Sequence, residues 1–80
     1  MKIKILFFSE LREIFGSSRL MDIPESLTVE EVVNLLAGES HEFFSKRVSL
    51  LYAVNENFET SGKKLKNQDE LALMMPMSGG

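Results

Sequence analysis

The sequence predicts an α+β fold: a mixed sheet crossed by one main helix, with short extra helices beside it. Three observations carry that expectation. Lys2-Ile3-Lys4-Ile5-Leu6-Phe7-Phe8 alternates at period two, as a strand with one core face does. Leu27-Thr28-Val29-Glu30-Glu31-Val32 opens a helix with a capping box and runs on into apolar residues at helical spacing. Glu70 to Met75 is a second apolar strand, ended by Pro76, which cannot donate to a sheet ladder. A chain of 80 residues makes one small domain that can fold alone on a modest margin.

Taken in order, Ile3, Ile5 and Phe7 share the core face of the first strand. Leu6 and Phe8 on the other side predict that part of it is covered twice, as a central strand would be. Ser9 is expected to cap a short helix over 10–15, with Leu11, Ile14 and Phe15 on one side. Gly16 closes it in the position that favours left-handed backbone. Arg19 to Ile23 reads as a second strand, a hairpin-like return ended by Pro24.

The main helix follows. Thr28 and Glu31 make the capping box, Leu27 and Val32 can form the hydrophobic staple, and Glu30 and Glu31 sit where the helix dipole favours negative charge. Val29, Val32, Val33 and Leu36 form one core-facing stripe, and Gly38 ends the helix. Residues 40–47 read as a short helix or turn with Phe43 or Phe44 tucked under. A strand is expected over 49–55, a turn at Asn55-Glu56-Asn57, and a brief edge strand at Phe58-Glu59-Thr60. After the loop Ser61-Gly62-Lys63-Lys64, Leu65 anchors the chain and Asn67-Gln68-Asp69 turns it. The last strand places Leu71, Leu73 and Met75 on one face. With first and last strands central, adjacent and parallel, this order describes a β-grasp domain.

Composition excludes several classes of function. Hydrophobic residues make up 44% and charged ones 26%, ordinary for a soluble globule. A net charge of −3 without a Lys/Arg stripe argues against nucleic acid. The apolar segment at the start is too short for a signal core or a membrane span, so no membrane is expected and the cytoplasm is the default. The chain has no cysteine, which removes disulfides, thiolate metal sites and a thiol nucleophile. His41 is the only histidine, expected at the surface near a helix start, with no carboxylates at metal-ligand spacing. No acid–base pair, Ser/His/Asp set or phosphate-binding glycine loop is present. If the chain takes part in a reaction, it does so as a substrate or carrier. Lys63, Lys64 and Lys66 are either a solvated loop that blunts a sheet edge or a contact for a partner.

The carboxyl-terminal residues suggest what is carried. The chain is expected to divide into a rigid body, 1–75, and a tail, 76–80. Pro76 holds Met75 extended, and Met77, Ser78, Gly79 and Gly80 can then reach about 13–14 Å. Gly79 and Gly80 lack a Cβ, so their backbone fits a channel too narrow for other residues. Such an end suits delivery of the Gly80 carboxylate into a partner's closed site. The plainer alternative is a frayed terminus.

Several blocks then carry a resemblance along essentially the whole chain. Ile5-Leu6-Phe7-Phe8-Ser9-Glu10-Leu11-Arg12-Glu13, the helix entry Leu27-Thr28-Val29, Tyr52-Ala53-Val54-Asn55, Asp69-Glu70-Leu71-Ala72 and Ser78-Gly79-Gly80 together resemble the small, sulfur-carrying subunits of molybdopterin synthase. Two departures stand out. That family usually has Gly where this chain has Gln68, and often aromatic residues before a Pro-Pro pair where this chain has Leu73-Met74-Met75-Pro76.

The resemblance implies a ubiquitin-like fold and a three-part cycle. An ATP-dependent, E1-like activating enzyme would adenylate Gly80, with AMP as a transient acyl-adenylate and no bound cofactor or metal. A sulfur donor protein would displace AMP and leave a thiocarboxylate. The large synthase subunit, in a heterotetramer, would take the tail and pass the sulfur to a pterin precursor. Partner contacts would come from Gly79, Ser78, Met77 and Pro76 of the tail, and from Met74 and Phe58 as an apolar patch, unless Phe58 is simply core. Three rivals stay open: a thiamine-type sulfur carrier, a ubiquitin-like protein modifier, and a binding module with an idle tail. The helix after the first strand favours the molybdopterin family over the thiamine carriers it resembles, which are generally shorter there.

Overall fold

Strand β1 (Lys2–Phe7) and strand β5 (Glu70–Met74) form the parallel pair around which the sheet is built. The computed structural model describes residues 1–76. Between these strands the chain makes α1 (Leu11–Phe15), β2 (Ser18–Asp22), α2 (Val29–Ala37), α3 (His41–Lys46), a 3-10 turn (Arg47–Ser49), β3 (Leu51–Val54) and β4 (Asn57–Glu59). The five strands lie in the order β2-β1-β5-β3-β4, and every pair other than β1–β5 is antiparallel. The expected mixed sheet with a parallel first and last strand is what forms.

One core lies between the sheet and the helices. β1 contributes Ile3, Ile5 and Phe7, and β5 contributes Leu71 and Leu73, all buried. From the helices come Leu11, Val29, Val32, Val33, Leu36 and Phe43. Phe43, not Phe44, is the residue tucked under; Phe44 is half exposed. Phe15 bridges layers, with ring centroids 5.0 Å from Phe7 and 5.1 Å from Phe43. Among the described residues, no helix is long and apolar enough to cross a membrane.

The capping box of α2 is present in full. Thr28 Oγ1 accepts from the Glu31 amide at 3.2 Å, and Glu31 Oε1 accepts from the Thr28 amide at 3.0 Å. The loop over 61–65 completes the cap. Lys63 O accepts from the Val29 amide at 2.9 Å and Ser61 O from the Glu30 amide at 2.9 Å, so the first amides of the helix all have partners.

Several boundaries and one cap differ from expectation. Ser9 does not cap α1; the cap position is Glu10, without a side-chain bond, and Ser9 itself sits at φ 55°. Its carbonyl accepts from the Arg12 amide instead, so the entry is a tight backbone turn. Gly16 closes α1 at φ 87°, in the positive region as expected. β2 starts at Ser18 and ends at Asp22, one residue early at each end, and β3 starts at Leu51 because the 3-10 turn takes up Arg47–Ser49.

The expected double cover of β1 does not form. The core holds alternate residues of β1, β3 and β5, while Leu6 is outside it, on the face away from the helices. Leu6 and Phe8 are half-buried by sheet neighbours and by Arg12, whose guanidinium lies 5.6 Å from the Phe8 ring centre. β1 is interior because β2 and β5 flank it, not because two layers sandwich it.

Candidate functional site: the open sheet face and the root of the tail

The second face of the sheet carries a row of apolar residues in register. Leu6 pairs with Ala72, Ala72 with Ala53, and Ala53 with Phe58, so four neighbouring strands each place one residue in the row. One step towards the end of β5, Met74 pairs with Leu51. Phe8 continues beside them, its amide donating to Leu73 O at 3.2 Å. Phe58 on edge strand β4 is 74% exposed and Leu51 is 44% exposed. Among the described residues no helix covers this row, and an exposed apolar patch is the kind of feature that interaction sites show.

Phe58 is therefore not core. Its edge strand is short, and its register partner Ala53 points away from the helices, so the ring has nothing to pack under. Met74 is half-buried in the same face. Met75 turns back to pack against the core, and Pro76 follows it into solvent. The strand that runs through the middle of the apolar face is thus the strand from which the tail departs. Met77, Ser78, Gly79 and Gly80 lie outside the described residues.

Sequence reasoning missed Leu6, Ala53, Leu51 and Phe8 as members of this face. The signal existed: Leu51 and Ala53 alternate with Tyr52 and Val54, and only one pair can face the helices. Tyr52 takes the core side opposite Leu73, where burial, with Glu30 nearby, raises its phenol above the ordinary range. It stays neutral there and offers no nucleophile.

Other candidates resolve into structure. Lys63 forms an ion pair with Glu59 at 3.9 Å, while its carbonyl helps cap α2; Lys64 and Lys66 are exposed. His41 is an exposed first-turn residue of α3, its ring 6.3 Å from Phe44. A cleft of about 550 Å³ lies over the far end of the sheet, among Lys2, Lys4, Leu20, Asp22 and Glu70. Its two cations face two anions, and it sits at the start of β5, not at the tail. Arg19 on β2 makes a double hydrogen bond to Glu39 beyond α2, both at 2.8 Å, which ties that edge to the helix layer. The bond pulls the Glu39 carboxyl below its usual range and raises the guanidinium of Arg19.

The sequence model of the ThiS family matches residues 5–80. The chain belongs to the ThiS family. A relative of this ThiS-family chain is a molybdopterin synthase sulfur carrier subunit from Arabidopsis thaliana, 30% identical over 99% of this chain and 83% of that one. Among solved structures, SAMP1 from Haloferax volcanii is similar at 27% identity and a TM-score of 0.79, covering 100% of both chains. A chain in the complex of subunits 1 and 2 of the molybdopterin-converting factor from Helicobacter pylori has a TM-score of 0.70 at 18% identity, also over 100% of both. That last likeness shows the fold alone. The fold is the ubiquitin-like β-grasp.

Proposed function

We propose that this chain is the sulfur carrier subunit of a molybdopterin synthase, with the carboxyl carbon of Gly80 as its working atom. The supporting observation is the placement of β5. It is the middle strand of an apolar face that no other described element covers, and Pro76 leaves from its end. A partner that docks on Met74, Leu51 and Phe58 therefore meets the root of the tail at the same time. Membership of the ThiS family and the molybdopterin-type relatives support the chemistry.

A free carboxylate at neutral pH is ionised and resists nucleophilic attack. The activating enzyme removes that resistance: a Gly80 oxygen attacks the α-phosphate of ATP, pyrophosphate leaves, and a mixed anhydride with AMP results. Sulfide released by a sulfur donor then attacks the carbonyl carbon, the new C–S bond replaces the C–O bond to phosphate, and AMP departs with the electron pair. The thiocarboxylate left on Gly80 is what the large subunit receives, and the absence of cysteine means the terminus is where this chain can hold sulfur. The folded body supplies docking and aim.

Intact mass after incubation with an activating enzyme, ATP and a sulfur donor tests this. Exchange of one oxygen for sulfur is expected, and its loss on deletion of Gly80 or addition of one residue after it. Transfer preserved in either variant overturns the mechanism. A second reading, a protein modifier, draws support from the likeness to SAMP1, a small archaeal modifier protein by name. It predicts isopeptide conjugates to lysine in the same reaction.

A further inference from the structure

We propose that Arg12 and Arg47 form a two-sided cationic rim at the root of the tail, and that the partner surface accepting the tail offers a carboxylate to each. The inference rests on the sulfur-carrier reading and adds to it the chemistry of the partner. It follows from where β5 lies. The strand is flanked by β1 and β3, and the chain beyond Met74 departs between the end of one and the beginning of the other.

Each flank carries one arginine, Arg12 in α1 after β1 and Arg47 in the 3-10 turn before β3. At the end of β1, Arg12 Nε donates to Phe7 O at 3.1 Å while the guanidinium lies over the Phe8 ring. Before β3, Arg47 in the 3-10 turn donates from a terminal nitrogen to Phe44 O at 2.8 Å, its guanidinium carbon 3.8 Å from the Phe44 ring centre. Stacking on an aromatic ring occupies a face of the guanidinium and leaves its edge donors free. A side chain fixed this way loses little further rotamer freedom on binding.

Three carboxylates are committed to other cations. Glu10 pairs with Lys46 at 3.2 Å, Glu39 with Arg19 at 2.8 Å and Glu59 with Lys63 at 3.9 Å. Among the described residues, no carboxylate lies within salt-bridge distance of Arg12 or Arg47. Glu13 and Glu42 are exposed on α1 and α3, and neither makes such a pair. Arg12 thus stands on the apolar face beside Phe8, and Arg47 stands on Phe44 ahead of β3, neither with a counter-ion among the described residues. A protein surface with an apolar centre and acidic flanks complements that arrangement.

Calorimetry of the full chain with the large subunit of molybdopterin synthase from the same organism, at low and high salt, tests the rim. With Arg12→Glu and Arg47→Glu combined, binding at low salt weakens by about tenfold or more and its salt dependence flattens. Arg12→Lys with Arg47→Lys keeps the salt dependence and loses part of the affinity, because the fork and the stack are gone. If the reversed variant does not fold by circular dichroism, Arg12→Gln with Arg47→Gln takes its place and is expected to flatten the salt dependence. Unchanged affinity and salt dependence in a folded variant overturn the rim while leaving the carrier reading intact. Unchanged affinity with slowed adenylation would mean that the arginines meet nucleotide phosphate, and likewise overturns it. A wild-type chain that does not bind at all overturns the carrier reading itself.

Discussion

Asn55 and Asp69 clamp two turns together at the end of the sheet opposite the tail. Asn55 Nδ2 donates to Asp69 Oδ1 at 2.8 Å, and Asn55 Oδ1 accepts from the Glu70 amide at 2.9 Å. The other carboxylate oxygen of Asp69, Oδ2, accepts from the Lys66 amide at 2.7 Å. Asp69 is the buried charged residue of the core region, and these bonds are what keep it satisfied. Asp69→Ala is expected to cost about 1–3 kcal/mol in denaturant unfolding, because it strands an amide and a carboxamide. Asn55→Gly, which tolerates the φ of 50° there, should cost less alone. The two losses should fall short of additive by more than about 0.5 kcal/mol; simple addition would show that the clamp is not a unit.

Gln68 sits at φ 73° and Glu56 at φ 70°, a region that disfavours residues with a Cβ. Gln68→Gly and Glu56→Gly should each stabilise the fold by roughly 0.5–1 kcal/mol, the relief of left-handed strain exceeding the entropy glycine adds to the unfolded chain. A lowered melting temperature for either variant would contradict the assignment.

Val32 and Leu36 are fully buried on α2. Val32→Asp or Leu36→Asp puts an unpaired charge there at a cost of several kcal/mol, against a total stability on the order of 5 kcal/mol. Both should be unfolded by circular dichroism. A cooperative melt at the wild-type temperature would refute the placement.

Phe58→Ser should separate binding from folding. With the ring 74% exposed, its removal should shift stability by less than about 0.5 kcal/mol. Binding to the large subunit should weaken by about 1–3 kcal/mol, as for a truncated aromatic anchor. A large drop in melting temperature with unchanged binding would return Phe58 to the core.

The Arg19–Glu39 pair gives a pH signature. Its carboxyl titrates lower in the folded chain than in the unfolded one, so its stabilisation is present above the ordinary carboxylate pKa, about 4.3. It fades as pH falls through the lowered folded value. Both side chains are more than a third exposed or close to it, so solvent screening limits the pair to less than about 1 kcal/mol. Glu39→Gln should therefore melt slightly below wild type at pH 7 and match it in strong acid. A gap that widened on acidification would reverse the sign of the argument.

What could be read from the sequence was what neighbouring residues encode. The Thr28–Glu31 box needs only its own four positions, and the Ile3, Ile5, Phe7 alternation needs only one strand. Both formed as expected. The cap at Ser9 failed because a tight turn there uses backbone carbonyls, which no side-chain pattern announces. The Asn55–Asp69 clamp joins positions far apart in the chain, and either residue alone reads as an ordinary turn former. Phe58 could not be assigned to a face until its register with Ala53 was known, since a one-step slip exchanges the faces.

β5 is the last strand of the sheet in sequence and the middle one in space. Until it is laid down, the β1–β2 and β3–β4 ladders have no strand to join them, and the long-range closure is of the kind that folds late. A nascent chain stopped short of Leu71 lacks Ala72 and Met74, so it cannot assemble the binding surface.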